Sequence, residues 1–222
     1  MKGFLFIPEM AVAACRDVAP KINTRRVMGQ QPSETHETAD RTSYRMAPKL
    51  KIYEGRTVAE FLYTMGEIEA IPCDYRVGER RCLLTTWATN PTFNEFCPTV
   101  IGDLYDHERR VRDDFKFWHA GMGPRPDGFG KNRPGRFLPN MLRHLMPVFE
   151  VVSVRAERVQ SISEEDAKAE GVELIEGNPR RHDGLDYSSE FASLWDSINA
   201  KRGFGWSVNP WVWVITFKRV TA

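Results

Sequence analysis

The stretch NPWVWVITFKRV (residues 209–220) decides the fold we expect, because its side chains alternate along an extended run. One set of alternate positions holds Trp211, Trp213, Ile215 and Phe217, and the other holds Val212, Val214, Thr216 and Lys218. Alternation of this kind is typical of a β-strand, since successive side chains of a strand point to opposite faces. The pattern therefore predicts a closing strand with at least one buried face.

A second strand and two helices are predicted before this closing strand. PVFEVVSVRAERV (147–159) is rich in β-branched residues and predicts a long central strand. SISEEDAKAEGV (161–172) predicts a short helix that Ser163 caps, with Asp166 completing the capping box. SSEFASLWDSINA (188–200) predicts another helix, because its apolar residues recur three and four positions apart. The last third of the chain is thus expected to carry its most regular structure.

Shorter elements are predicted in the first half of the chain. GFLFI (3–7) predicts a short buried strand, and PEMAVAAC (8–15) predicts a short helix with proline in its first turn. TVAEFLYTMG (57–66) has the form of a capping box followed by a terminal glycine, which predicts a helix. YRVGERRCLLTTW (75–87) predicts a turn at Gly78 and then a strand.

The balance of these elements predicts an α+β, β-rich fold. Few strands, short helices and long irregular connections favour a small β-barrel with flanking short helices and long loop insertions. We expect a single domain over residues 1–222, with insertions at 29–56 and 88–136. Much of both insertions is polar or rich in glycine and proline, and such compositions favour loops over regular elements.

Composition narrows the class of protein. The chain has 31 basic and 30 acidic residues and a formal net charge of +1, so it lacks the strongly basic character of a domain that coats nucleic acid. No apolar run approaches the roughly 18 residues that a membrane span needs. The start, MKGFLFIPEM, lacks the long apolar region and cleavage site of a signal peptide. We therefore expect a cytoplasmic protein with no membrane partner.

The cysteines and histidines show no metal-binding pattern. The four cysteines form no CxxC pair, and the five histidines show no ligand spacing. We expect no metal site, no cofactor and no disulfide, with the thiols acting as buried packing groups.

A cluster of hydrogen-bond donors, KINTRR (21–26), is the main candidate for function near the start of the chain. Lys21, Arg25 and Arg26 could hold a phosphate, since guanidinium groups bind phosphate with two parallel hydrogen bonds. Lys21 could instead act as a base that activates the Thr24 hydroxyl. Such a cluster is also compatible with an ordinary solvated turn, because basic clusters of this size are common.

Seven segments of the chain match sequence motifs that recur together in one group of proteins. They are FIPEM (6–10), KINTRR (21–26), VGERRCLLTTW (77–87), RPGRFLPNM (133–141), ISEEDAKAEG (162–171), FASLWDSINAKRGFGW (191–206) and NPWVWVITF (209–217). Together they resemble the ASCH-domain proteins of the PUA-like superfamily, in the form found in phage and prophage genomes. The resemblance implies a PUA-like barrel with a cleft for RNA or nucleotide-like ligands.

The resemblance also implies roles for individual residues. Some small bacterial members of the family hydrolyse acylated cytidine with a lysine, a threonine and a glutamate, and others are described as ribonucleases. Lys21 and Thr24 match the lysine and the threonine. Aligned on Trp87, the glutamate position holds Thr85, and a hydroxyl cannot do the work of a carboxylate near neutral pH.

We therefore expect binding of RNA or a nucleotide-like ligand more than catalysis. The expected ligand-binding residues are Lys21, Thr24, Arg25, Arg26, Thr85, Trp87, Arg133, Arg136 and Trp206. Arg133 and Arg136 lie in a basic loop rich in glycine and proline. Trp206 is flanked by small residues and is a candidate for stacking on a base. Three other tryptophans, Trp195, Trp211 and Trp213, are expected in the core.

Two other functions stay open at this stage. One is a hydrolase of the amidohydrolase or ribonuclease type, with Lys21 and Thr24 as its catalytic residues. The other is a phage accessory protein that binds a protein partner through segments 29–49 and 88–136, which would place it in the cytoplasm of the host cell.

Overall fold

A computed structural model describes residues 2–17, 20–32, 48–62, 68–107, 115–174 and 186–220. These residues form ten strands and four α-helices, joined by short 3-10 turns. In chain order the elements are β1 (Gly3–Leu5), α1 (Pro8–Cys15), β2 (Asn23–Val27), β3 (Lys49–Tyr53), β4 (Arg56–Leu62), β5 (Ile68–Pro72), β6 (Arg80–Leu84), β7 (Trp87–Thr89), α2 (Pro98–His107), β8 (Phe117–His119), β9 (Val148–Arg158), α3 (Glu164–Ala169), α4 (Tyr187–Asn199) and β10 (Trp211–Val220). The predicted α+β, β-rich class is confirmed.

The described residues fall into two compact units. The first unit comprises the described parts of Met1–Lys21, Arg80–Glu150 and Lys218–Ala222. The second unit comprises the described parts of Ile22–Glu79 and Val151–Phe217. The expectation of a single domain stays a prediction.

In the first unit, β1 and β6 pair in parallel, with Phe4 opposite Leu83. Strand β6 pairs antiparallel with the beginning of β9, with Arg81 opposite Phe149. Strands β7 and β8 form a separate antiparallel pair in which Trp87 lies opposite His119. Helix α1 begins at a proline, as predicted, and packs against the turn that follows β8.

In the second unit, β10 pairs antiparallel with β2, with Val214 opposite Arg25. Strands β3, β4 and β5 form an antiparallel sheet in that order. Helices α3 and α4 contribute Ala167, Phe191 and Trp195 to a core that also contains Val212 and Val214 of β10. The predicted helices at 161–172 and 188–200 and the closing strand are confirmed, with slightly different ends.

Burial in β10 agrees with the prediction of at least one buried face. Trp211 to Ile215 are all buried, so both faces of this part of the strand are covered. Trp195, Trp211 and Trp213 are buried, which confirms their expected place in the core.

The predicted helix at 57–66 is wrong. Its described part, up to Leu62, lies in β4, which pairs with β3 on one side and β5 on the other. A tight turn at Glu54 and Gly55, both with positive φ, reverses the chain between β3 and β4. Neighbours on both sides satisfy the backbone of β4, and this outweighs the local helix signal. Residues 63–66 of the prediction lie outside the described residues.

The β-barrel stays a prediction. Among the described residues the strands form several sheets, and no pairing closes one of them into a barrel. Within the same residues, no helix has the length and apolar character needed to cross a membrane.

Candidate functional site

Lys21 is a buried cation of the first unit. Its backbone N–H donates to the carbonyl of Ala13 at 2.9 Å, which fixes Lys21 beside helix α1. The residue is only 2% exposed, and its Nζ lies 5.7 Å from the centre of the Phe6 ring. Burial of an ammonium group is costly unless polar or aromatic groups compensate for the lost water. Lys21 is therefore held in a defined place, unlike a lysine of a solvated turn.

Phe6 links Lys21 to the end of β6. The Phe6 N–H donates to the carbonyl of Leu84 at 2.8 Å, one residue before Thr85. The same phenylalanine thus presents its ring to Lys21 and its backbone to the segment that carries Thr85. The first unit brings these two sequence-predicted site residues into one neighbourhood.

Thr85 carries a buried hydroxyl with an unmet hydrogen-bonding capacity. The residue is 1% exposed, and within the described part of the chain its Oγ1 has no hydrogen-bond partner. The backbone of Gly135 lies directly against it, since an ideal Cβ on Gly135 would be 2.5 Å from the Thr85 nitrogen. An unsatisfied buried polar group costs about 1–3 kcal/mol. A ligand atom that bonded to Oγ1 would recover part of that cost.

His119 is a residue near Thr85 that the sequence reasoning did not single out. It lies opposite Trp87, and the next residue, Ala120, donates its N–H to the carbonyl of Thr86 at 2.8 Å. Burial, with a smaller contribution from Arg219, lowers the pKa of His119 to about 4. His119 is therefore neutral at pH 7. The spacing of the histidines in the sequence did not single out His119. The pairing of β7 with β8 is what places His119 near Thr85.

Arg25 forms the centre of an ionic cluster in the second unit. Its guanidinium is fully buried and donates to Glu157 at 2.6 Å, Asp166 at 3.0 Å and Glu170 at 3.1 Å. It also lies 5.7 Å from the centre of the Phe191 ring. Burial alone would lower the pKa of Arg25, but Glu170 and Glu157 together raise it above its ordinary value. The guanidinium is thus committed to carboxylates of its own chain.

The role of Asp166 differs from the one expected. Ser163 does cap α3, since its hydroxyl accepts the Asp166 N–H at 3.1 Å. The Asp166 carboxylate, however, accepts hydrogen bonds from Arg25, Arg155 and Asn23 instead of closing a capping box. The spacing of Asp166 and Glu170 by four residues places both on one helix face, and this signal could have indicated a shared cationic partner.

Thr24 and Arg26 flank Arg25 on β2. Thr24 is buried and pairs with Ile215, and Arg26 is half-buried and pairs with Trp213. Thr24, Arg25 and Arg26 therefore belong to a strand of the second unit, not to a flexible basic turn.

Arg133 and Trp87 hold the segment after β7 in the first unit. Their backbones exchange two hydrogen bonds, of 2.8 and 3.0 Å, and the guanidinium lies 5.6 Å from the Trp87 ring. The same guanidinium donates to the carbonyls of Phe93 at 2.8 Å and Phe96 at 2.9 Å. Both side chains are buried, and their contacts stabilise the packing of this segment.

Arg136 and Trp206 are the more accessible of the predicted binding residues. Arg136 is exposed in the first unit, with its guanidinium 4.9 Å from the Phe137 ring. Trp206 is half-buried in the second unit and meets Phe191 edge to face, with ring centres 6.1 Å apart. The structure places these two candidates in different units.

The cysteines depart from the expected role of buried packing groups. All four are free thiols. Cys73 and Cys82 are buried as predicted, but Cys97 is exposed and Cys15 is half-buried. Cys97 lies next to Pro98 at the start of α2, outside the core.

Comparison with known protein families, with curated proteins and with solved structures finds no match. The resemblance to ASCH-domain proteins therefore stays a prediction, as do the roles it implies for individual residues.

Proposed function

We propose that this chain binds a nucleotide-like ligand, either a modified nucleotide or a nucleotide within RNA, with Lys21 and Thr85 as central contacts. The observation that carries the proposal is the buried Thr85 hydroxyl, which has no partner among the described residues. Lys21 supplies a buried cation in the same unit. The resemblance to PUA-like proteins, whose clefts are associated with RNA or nucleotide-like ligands, supplies the ligand class.

The chemistry of the two groups suits a nucleobase or its sugar phosphate. A threonine hydroxyl both donates and accepts, so it can bond to an exocyclic amine, a ring nitrogen or a carbonyl. An ammonium donates three hydrogen bonds and favours carbonyl or phosphate oxygens. Away from water such bonds are stronger than at the surface, and a ligand lacking the matching atoms leaves buried groups unsatisfied. Lys21 and Thr85 would therefore select ligands by the hydrogen-bond donors and acceptors that the ligand presents to them.

Arg25 is not expected to contact a phosphate, because three carboxylates already neutralise its guanidinium. With a net charge of +1 and few phosphate contacts, the affinity for RNA should fall only weakly as salt rises. This dependence distinguishes recognition of one nucleotide from coating of an RNA backbone.

Calorimetric titration tests the proposal with four probes: cytidine, N4-acetylcytidine, cytidine monophosphate and a short single-stranded RNA. We expect at least one probe to bind, and Lys21→Met to weaken that binding at least tenfold. The matched control is Lys116→Met, which removes an exposed lysine of the same unit. Absence of binding by all four probes at millimolar concentration would reject the proposal. So would unchanged binding by a folded Lys21→Met chain.

Hydrolysis of an acylated nucleoside is a second candidate, and the burial of Lys21 favours it, because catalytic lysines act from desolvated positions. The resemblance implies Lys21 as the base and Thr24 as the nucleophile of such a reaction, which would release the free nucleoside and, after hydrolysis, the carboxylic acid. The absorbance of N4-acetylcytidine follows the reaction directly. Turnover that is lost in both Lys21→Met and Thr24→Val would favour the enzyme, and binding without turnover would favour the binding module.

A further inference from the structure

Strand β3 is an edge strand that is open to solvent along its length. It pairs with β4 in the sheet formed by β3, β4 and β5, and within the described residues it has no second neighbour. All five residues of Lys49–Tyr53 are exposed. An edge strand of this kind presents backbone N–H and C=O groups that no neighbouring strand bonds, and a further strand can pair with them.

The other edge of the same sheet is less suited to a further strand. Strand β5 forms that edge and contains Pro72. Proline has no N–H to donate, and it is one of the residues that natural edge strands use to prevent pairing. Strand β3 contains no proline. The edge at β3 is therefore the better candidate to receive a further strand.

The apolar face of this sheet ends in exposed side chains at β3. Leu50, Ala59 and Ile71 lie side by side on this face, one in each strand. Ala59 and Ile71 are buried, whereas Leu50 is 40% exposed. Ile52 lies on the same face and is 72% exposed. A further strand with apolar side chains on this face would cover Leu50 and Ile52, and removal of their apolar surface from water would stabilise the complex.

The opposite face of the sheet carries an excess of positive charge. Lys49 and Lys51 of β3 and Arg56 of β4 lie on it, and among the described residues of the three strands Glu60 is the carboxylate that shares this face. Lys51 is paired with Glu60 at 2.7 Å, so the other two cations are in excess. Glu54, in the turn after β3, can offset one of them at most. The charge on this face therefore suits an acidic partner.

We propose that β3 binds an extended, acidic segment of a partner protein, which adds to the sheet as a fourth strand. The backbone of the segment pairs with the open edge, and its side chains alternate between the two faces. Its acidic residues lie beside Lys49 and Lys51, and its β-branched apolar residues lie beside Leu50 and Ile52. Opposite charges on neighbouring strands stabilise such a pair. The inference is independent of the proposed nucleotide site, whose central residues belong to the first unit.

A second copy of this chain fits the open edge less well than an acidic partner. The antiparallel register that pairs all of β3 with β3 of a second copy places Lys51 opposite Lys51. Like charges directly opposite one another destabilise a strand pair, and lysines on an edge are a common device against self-association. The same lysines attract a segment that carries carboxylates.

Titration of the full chain with synthetic peptides tests the inference. The probe is a heptapeptide, blocked at both ends, in which glutamate and valine alternate (EVEVEVE). The control peptide has the same composition and charge, with the two residue types in separate blocks (EEEEVVV). We expect the alternating peptide to bind at least tenfold more tightly than the block peptide. Equal affinities for the two peptides, or no binding of the alternating peptide at millimolar concentration, would overturn the inference.

Variants of β3 test whether the peptide binds at this edge. Lys49→Glu reverses one of the charges and should weaken binding of the alternating peptide at least tenfold. The matched control is Lys201→Glu, which reverses an exposed lysine of the same unit and should leave binding unchanged. Ile52→Thr keeps a β-branched side chain but removes apolar surface, so it should also weaken binding. Unchanged affinity in a folded Lys49→Glu chain would contradict the proposed edge.

Hydrogen exchange provides a readout that needs no variant. The N–H groups of β3 that point to the open edge should exchange rapidly in the free chain and become protected when the alternating peptide is bound. Protection confined to other parts of the chain would overturn the inference. A dimer of the free chain in which the same N–H groups are already protected would also overturn it, because the edge would then belong to a second copy.

Discussion

Arg25 and Glu157 are joined by two hydrogen bonds, from Nη2 at 2.6 Å and from Nε at 3.2 Å, to the same carboxylate oxygen. Asp166 and Glu170 complete the cluster, in which Arg25 and Glu170 are buried and the other two carboxylates are half-buried. Removal of one member of a buried ionic cluster leaves charges without compensation and typically costs about 3–5 kcal/mol.

We therefore expect Arg25→Met to lower the free energy of unfolding by about 3–5 kcal/mol. Urea unfolding measures this change. Arg76→Met, which removes an exposed arginine of the same unit, is the control and should change stability by less than about 0.5 kcal/mol. Equal effects of the two substitutions would show that the cluster adds little to stability. Loss of ligand binding in an Arg25 variant is informative only when the variant remains folded.

The close backbone contact at Gly135 leads to a second prediction, on the stability of a Gly135 variant. A Cβ there would lie 2.5 Å from the Thr85 nitrogen and 2.7 Å from the Leu84 carbonyl carbon, and backbone atoms cannot move aside as side chains can. We expect Gly135→Ala to destabilise the protein by about 1–3 kcal/mol in thermal or urea unfolding. Gly29→Ala is the control, because no atom lies within 4 Å of the added methyl group. A neutral Gly135→Ala would contradict the close contact around Thr85.

The carboxyl group at the start of α4 leads to a third prediction, on how the stability of the fold depends on pH. Hydrogen bonds with the Glu164 carboxyl and with Ser188 lower the pKa of Asp186 well below its usual range. A carboxyl whose pKa is lower in the folded state contributes stability above its unfolded pKa, about 3.9, and loses it as pH falls. Stability should therefore decrease as pH falls below about 4, and Asp186→Asn, which caps helices comparably, should flatten this decrease. Urea unfolding from pH 6 to pH 2 measures the slope. An identical slope in Asp186→Asn would assign the acid sensitivity to other groups.

The regular elements could be predicted from the sequence where local signals and packing agree. In α3 the cap at Ser163 sits at the helix start, and in β10 the alternation of apolar residues matches a buried strand. The prediction failed at β4, where residues 57–66 resemble a capped helix. Pairing with β3 and β5 is a long-range property, and the local pattern does not contain it.

The site could be predicted only in part, for the same reason. Lys21, Thr24 and Arg25 stand in one short cluster of the sequence, but Lys21 belongs to the first unit, whereas Thr24 and Arg25 lie on β2 of the second unit. The commitment of Arg25 to three carboxylates depends on residues more than 130 positions away.

The central claim is that the Thr85 hydroxyl is reserved for a ligand. Thr85→Val removes that hydroxyl while keeping the shape of the side chain. If Oγ1 has no internal partner, Thr85→Val removes an unsatisfied buried polar group. Without ligand, the variant should then be about 1 kcal/mol more stable than the parent. The same substitution should weaken binding of the nucleotide probe at least tenfold. Thr89→Val, which alters another buried threonine of the first unit, is the control and should leave binding unchanged.

Parallel measurement of unfolding and probe binding for Thr85→Val tests this claim most directly. The account predicts a free protein that is at least as stable as the parent but binds the probe at least tenfold more weakly. A destabilised protein that binds the probe with parental affinity would contradict it, because the hydroxyl would then serve the fold and not a ligand.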